Sequence, residues 1–150
     1  MQKNYSSPMG NLILKSDGEF ITEILYREKI FEDETNNILE NCARELDDYF
    51  AGNLREFSVP IKATGTDFRT RVWEELKKIP YGETITYKEL AARIKNPAAI
   101  RAVGGANHHN PINIIIPCHR VIGANGNLTG YGGGIENKKF LLELERAGRA

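Results

Sequence analysis

The chain changes both its hydrophobic period and its charge at Ala63-Thr64-Gly65-Thr66, and this break constrains the fold more than any other feature. Ahead of it, Leu12-Ile13-Leu14-Lys15 and Ile21-Thr22-Glu23-Ile24-Leu25-Tyr26 read as strands joined across the turn residues Ser16-Asp17-Gly18. Leu39, Cys42, Leu46, Tyr49 and Phe50 then recur at three- and four-residue steps, which predicts an amphipathic helix closed by Gly52. Phe57 to Ile61 reads as one more short strand, interrupted by Pro60. Residues 1–62 hold 12 acidic and 7 basic side chains, whereas residues 63–150 hold 8 and 13. A linker-like composition at a change of charge sign predicts a domain boundary, with domains at 1–62 and 63–150.

Beyond the boundary the pattern turns helical. Thr66 or Asp67 is placed to cap a helix carrying Phe68, Val72 and Leu76, ended by Pro80-Tyr81-Gly82. Thr84-Ile85-Thr86 leads into a short helix, Tyr87 to Ile94, with Leu90, Ala91 and Ile94 inward. Asn96-Pro97 reads as a restart signal for a second helix, Ala98 to about Ala106, in which Gly104-Gly105 is expected to permit close packing. Two short helices so joined form a helix-turn-helix, a pattern that also occurs in proteins that never touch DNA. After Asn110-Pro111 come the apolar run Ile112 to Ile116, a Gly-rich loop from Gly123 to Gly134, and a last helix with Ile135, Phe140, Leu141 and Leu144.

Composition excludes several classes. At 41% hydrophobic and 27% charged residues, the chain of 150 reads as a soluble globular protein. Nothing approaches the roughly 18 consecutive apolar residues of a membrane span. Residues Met1 to Pro8 lack an apolar signal core, and two cysteines are too few for a disulfide scaffold, so a cytoplasmic location is expected. The formal charge of zero hides a basic stretch: between Tyr87 and Arg120, Lys88, Arg93, Lys95, Arg101 and Arg120 are opposed only by Glu89, and all three histidines fall there. Such a field attracts phosphates, although a solvated surface accounts for it equally well.

Pro117-Cys118-His119-Arg120 carries the chemistry. A cysteine attacks as thiolate, which at a pKa of about 8.5 is a small fraction at neutral pH. An adjacent imidazole that takes the proton, with positive charge nearby, raises that fraction. On these residues alone, a buried structural cysteine remains the simpler reading. Metal binding by Cys118, His119, His108 and His109 fits badly, because neither CxxC nor HxxxH occurs. Only 32 residues follow Cys118, which excludes a papain-like arrangement.

Taken together, Pro117-Cys118-His119-Arg120-Val121 after Ile114-Ile115-Ile116, Arg101-Ala102-Val103-Gly104-Gly105-Ala106, Asn110-Pro111 and Pro80-Tyr81-Gly82-Glu83-Thr84 closely resemble the methylated-DNA–protein-cysteine methyltransferases, or O6-alkylguanine-DNA alkyltransferases. The likeness runs from Gly65 to Glu145; before it, Pro8-Met9-Gly10 and Leu46-Asp47-Asp48-Tyr49-Phe50-Ala51-Gly52 match more loosely. The resemblance implies an α/β protein: a small N-terminal α/β sheet domain followed by a mainly helical C-terminal domain with a helix-turn-helix. It also implies a monomeric repair protein that flips O6-alkylguanine, and O4-alkylthymine, out of double-stranded DNA and takes the alkyl group irreversibly onto itself. No cofactor or metal is expected.

By the same resemblance, Cys118 is the alkyl acceptor, His119 deprotonates it through a water, and Glu145 orients that histidine. Tyr87 hydrogen-bonds the leaving guanine, and Asn110 buttresses the cysteine. Arg101 fills the vacated stack, with Thr86, Ala102, Gly105 and Ala106 also at the DNA. Tyr131, Gly132, Val121 and Asn113 line the pocket. Two positions depart from the family: Gly132 stands where relatives often carry serine, and Asn113 replaces a common proline. The rival readings are a recognition module lacking the acceptor cysteine, which Cys118 argues against, and a helix-turn-helix regulator with a redox-sensing cysteine.

Overall fold

A computed structural model describes residues 1–30 and 32–149, and its contacts divide the chain into two compact units, Met1–Thr64 with Pro111–Asn113 and Gly65–Asn110 with Ile114–Ala150. The first unit is a three-stranded antiparallel meander, β1 (Gln2–Ser7), β2 (Gly10–Ser16) and β3 (Ile21–Tyr26), covered by helix α1 (Asn37–Phe50). Leu12, Leu14, Ile21 and Ile24 from the sheet and Leu39, Cys42, Leu46 and Tyr49 from α1 are fully buried together. The Asn36 side chain caps α1 by accepting from the Leu39 amide at 2.8 Å. The hairpin and the helix lie where the hydrophobic periods place them.

Three local features differ from the sequence expectation. β1 pairs with β2 along its whole length, yet its side chains are polar except Tyr5, as suits an edge strand, so no alternation marks it. Phe57 to Ile61 makes only an isolated bridge, Ile21 to Ile61, because Pro60 has no N–H to extend a ladder. The apolar run 112–116 is split rather than continuous. Ile112 bridges Ile24 in the first unit, while Ile114 turns through φ 73°, a left-handed conformation that a β-branched residue rarely adopts.

The second unit contains α2 (Asp67–Leu76), α3 (Tyr87–Arg93), α4 (Ile100–His108) and α5 (Ile135–Arg149), with the short parallel pair β4 (Ile85–Thr86) and β5 (Val121–Ile122). Thr66 caps α2 by accepting from the Arg69 amide, and Thr86 with Glu89 forms a capping box on α3. Trp73 Nε1 donates to the Ala106 carbonyl at 2.9 Å and Arg71 to that of Ile94 at 2.6 Å, fastening α2 to the helix pair.

The restart signal at Asn96-Pro97 falls three residues early. The Asn96 carbonyl accepts from the Ala99 amide at 3.0 Å and closes a turn, so α4 begins after Ala99 with no side-chain cap. Nor do Gly104 and Gly105 serve internal packing, since an added Cβ at either would meet nothing within 4 Å. The apolar reading of the last helix also needs correction. Ile135 is 50% exposed and Phe140 36%, whereas Lys138, Leu141 and Glu145 form its buried stripe. Among the described residues no helix is long and apolar enough to cross a membrane.

Candidate active site

Cys118, His119 and Arg120 form a single 3₁₀ turn behind Pro117, and all three are buried. The turn is held by Asn107 on the inner face of α4 and by Asn110 just past the end of that helix. The Asn110 side chain donates to the Ile116 carbonyl at 2.8 Å and also bonds the Cys118 thiol, while Asn107 donates to the Cys118 carbonyl at 3.2 Å. The thiol is 1% exposed, and burial pushes it up to about 11, against the opposing pull of Asn110 and Lys138. The resting group is therefore a protonated thiol, and nucleophilicity requires a base.

The adjacent imidazole supplies one. His119 Nε2 donates to Glu145 Oε2 at 2.6 Å, and since a carboxylate only accepts, the proton sits on Nε2. Nδ1 is then the basic nitrogen, buried and without a hydrogen-bond partner among the described residues. Burial, with Arg120 and Lys138, lowers the histidine below its ordinary value despite the pull of Glu145, so the imidazole is neutral and able to accept.

Glu145 is the hub. Arg120 donates to it through Nε (2.8 Å) and a terminal nitrogen (3.0 Å), and the Gly82 amide adds a third donor at 3.3 Å. Burial opposes its charge, but His119 and Arg120 outweigh burial and hold the carboxyl far below the usual range. Arg120 also donates to the Ile79 carbonyl at 2.7 Å and lies over the Tyr81 ring. The Pro80-Tyr81-Gly82 turn is thus pinned to the same ion pair, with Gly82 at φ 79°.

Two residues of the site were not foreseen. Lys138 is fully buried on α5, donates to the Val121 carbonyl, and lies 5.8 Å from the centre of the Tyr87 ring. Burial lowers it to about 8, and its charge favours the Cys118 thiolate. The second is Asn107. Both are polar residues at inward helical positions, and that mismatch was the available signal: Lys138, Leu141 and Glu145 share one face of α5.

The remaining predicted residues separate. Tyr87 opens α3 and donates to the Thr129 carbonyl at 3.0 Å; burial and the nearby Cys118 raise its phenol while Asn107 opposes. Tyr131 and Val121 are buried in this unit. Thr86 is occupied as the α3 cap. On α4, Arg101 and Ala102 are exposed and Gly105 partly so, but Ala106 is buried, because the helical period turns positions 103, 106 and 107 inward. Asn113 is engaged in the first unit, where its amide donates to the Ile24 carbonyl at 2.8 Å. Gly132 has a steric reason: an added Cβ would lie 2.9 Å from the His108 carbonyl oxygen.

Comparison with known proteins shows the family to which the chain belongs. Residues 67–147 match the model of the 6-O-methylguanine DNA methyltransferase DNA binding domain, and residues 2–63 that of its ribonuclease-like domain. A methylated-DNA–protein-cysteine methyltransferase of Mycobacterium bovis is 48% identical, covering 97% of this chain and 92% of its own. One from Methanosarcina acetivorans is also 48% identical, over 94% and 95%. The crystal structure of the Mycobacterium tuberculosis O6-methylguanine methyltransferase superposes with a TM-score of 0.89 at 48% identity, over 97% and 92% of the two chains. The structure of the Mycobacterium tuberculosis protein in complex with DNA gives a TM-score of 0.87 at 47% identity, over 98% and 93%. The chain belongs to the methylated-DNA–protein-cysteine methyltransferase family.

Proposed function

We propose that this protein binds double-stranded DNA as a monomer, rotates O6-alkylguanine or O4-alkylthymine out of the stack, and moves the alkyl group to Cys118 once. The methyl carbon is inaccessible inside a duplex, so extrusion is required and costs a few kcal/mol in lost stacking. The DNA-bound relative supports the partner. So does the outer face of α4, where exposed Arg101 and Ala102 stand beside two glycines with open space before them. Arg101 enters the gap left by the base and offsets part of the unstacking.

The chemistry follows from the protonation states. His119 Nδ1 takes the Cys118 proton through a water, and Glu145 with Arg120 stabilises the imidazolium that results. The thiolate, favoured by Lys138, attacks the alkyl carbon. The C–O6 bond breaks and its electron pair passes to the guanine, where the Tyr87 phenol donates its proton to a ring nitrogen. Tyr87 must release the Thr129 carbonyl to do so, which couples opening of the 123–134 loop to entry of the base. The product is a thioether, which hydrolysis does not reverse, so the protein is consumed.

The observation that carries this reading is the fixed tautomer of His119, with its basic nitrogen buried and unpartnered in the residue that follows a buried thiol. The test is intact mass after mixing with a duplex containing one O6-methylguanine. A gain of one methyl group at Cys118, saturating at one equivalent, is expected. Tight binding with no mass change would overturn the proposal in favour of a recognition module.

A further inference from the structure

We infer that the loop after β5 is a latch on the proton-donating tyrosine, and that Asn127 is the positioning residue that sets its strength. This rests on the transfer reaction proposed above. The Tyr87 hydroxyl donates to the Thr129 carbonyl at 3.0 Å, across 42 positions of sequence. A glycine-rich segment does not hold a carbonyl in place by itself. Here the Gly123 amide donates to the Asn127 carbonyl at 2.7 Å and the Gly126 amide to the Gly123 carbonyl at 2.9 Å, closing a compact turn directly after β5. Asn125 Oδ1 accepts from the Asn127 amide at 3.1 Å, and Asn127 Oδ1 accepts from the Thr129 amide at 2.8 Å. These are successive Asx turns, in which a side-chain oxygen imitates a backbone acceptor. Asn127 thus holds the amide of Thr129 while Tyr87 holds its carbonyl.

Both ends of the latch start from one base. Tyr87 follows β4 and Gly123 follows β5, and these strands pair Ile85 with Val121 and Thr86 with Ile122. Gly130 completes the fit: at φ 88° it turns the chain, and an added Cβ there would lie 2.6 Å from the Tyr87 hydroxyl oxygen. Asn125, Asn127 and Thr129 are exposed, so water replaces these bonds when the loop lifts, and opening costs about one net hydrogen bond. The phenol has a single hydrogen to give, and the resting protein keeps it on Thr129. An incoming base must displace that carbonyl first.

Asn127→Ala removes the acceptor for the Thr129 amide and leaves the reacting groups in place. In single-turnover transfer from an O6-methylguanine duplex, the half-saturating DNA concentration should fall by up to about fivefold, with the maximal rate unchanged. Asn127→Ser, whose hydroxyl makes the same turn more weakly, should lie between the two. In a Tyr87→Phe background, where the latch cannot form, Asn127→Ala should shift nothing. An unchanged or raised half-saturation, a slower maximal rate, or an equal shift without the phenol would overturn the inference. Hydrogen exchange at the Thr129 amide reads the latch without the reaction. The phenol bonds the carbonyl of Thr129 and not its amide, so Tyr87→Phe should speed that exchange severalfold only if the loop is held as a unit; unchanged exchange would also overturn the inference. A parent protein that shows this coupling but gains no methyl would refute the transfer reaction and leave the latch standing.

Discussion

Gly105→Ala asks whether the outer face of α4 is shaped for the protein or for its partner. Glycine inside a helix costs about 1 kcal/mol relative to alanine. The new Cβ would meet no atom within 4 Å, so no clash offsets the gain. For a chain of this length, about 1 kcal/mol raises the thermal midpoint by roughly 2–4 °C. On DNA the sign reverses. If the helix lies against the groove with Arg101 inserted, one added methyl at a closely packed contact costs about 1–3 kcal/mol, or about five- to 150-fold in affinity. Thermal denaturation and a gel shift on an O6-methylguanine duplex read both effects, with Cys118→Ala as background to prevent turnover. A lowered midpoint would refute the open-face geometry. A raised midpoint with unchanged affinity would show that DNA docks elsewhere.

Further predictions concern the buried network. Glu145→Gln removes the anion between His119 and Arg120 and leaves a buried guanidinium unpaired, so stability should fall by about 3–5 kcal/mol in urea unfolding, along with transfer; a loss below about 1 kcal/mol would show the pair to be dispensable. The pH dependence has a defined sign. Both His119 and Glu145 are lowered on folding, so the unfolded chain binds more protons, and the stability they contribute is complete above about pH 6.5 and declines as pH falls. Urea midpoints at several pH values should therefore decrease below pH 6.5, and the transfer rate should hold to lower pH than an ordinary histidine allows. Gly132→Ser, which restores the residue often found in relatives, should destabilise by about 1–3 kcal/mol, because its Cβ would approach a backbone oxygen to 2.9 Å. An unchanged unfolding midpoint would mean that the loop yields freely.

Much of the fold was legible because its signals are local. The 3.6-residue period exposes α1 and α3, and Thr66 is a cap recognisable from its place before an apolar run, whereas the capping role of Thr86 was not read from the sequence. What escaped was set by partners distant in sequence. β1 has no pattern of its own and exists through β2. The run 112–116 reads as one apolar segment, but Ile24 claims its start through backbone bonds that composition cannot show. The break falls at Ile114, whose positive φ no propensity favours. In α5 the apolar residues misled, because Lys138 and Glu145 take the inward positions that periodicity assigns to Ile135 and Phe140. The period alone leaves Glu145 on the surface, since its counter-charge Arg120 lies 25 positions away; the family resemblance, not the pattern, drew attention to it.

That inversion in α5 has a counterpart in α4, and together they bear on how binding and transfer would be linked. α4 has nine residues, too few to bend. Arg101, Ala102 and Gly105 face outward from it, while Asn107 faces inward onto the Cys118 turn, joined by Asn110 just past the helix end. A displacement of the helix by a docked duplex would therefore be carried to the carbonyls of Cys118 and Ile116 without an intermediate element. On the opposite side, Lys138 and Glu145 anchor the same turn from α5 through the Val121 carbonyl, His119 and Arg120. Cys118 is thus clamped between two helices, one of them presenting a partly basic outer face. Loosening either clamp, rather than altering the thiol, is the economical way for such a site to change reactivity, because packed elements shift between discrete arrangements more readily than they deform.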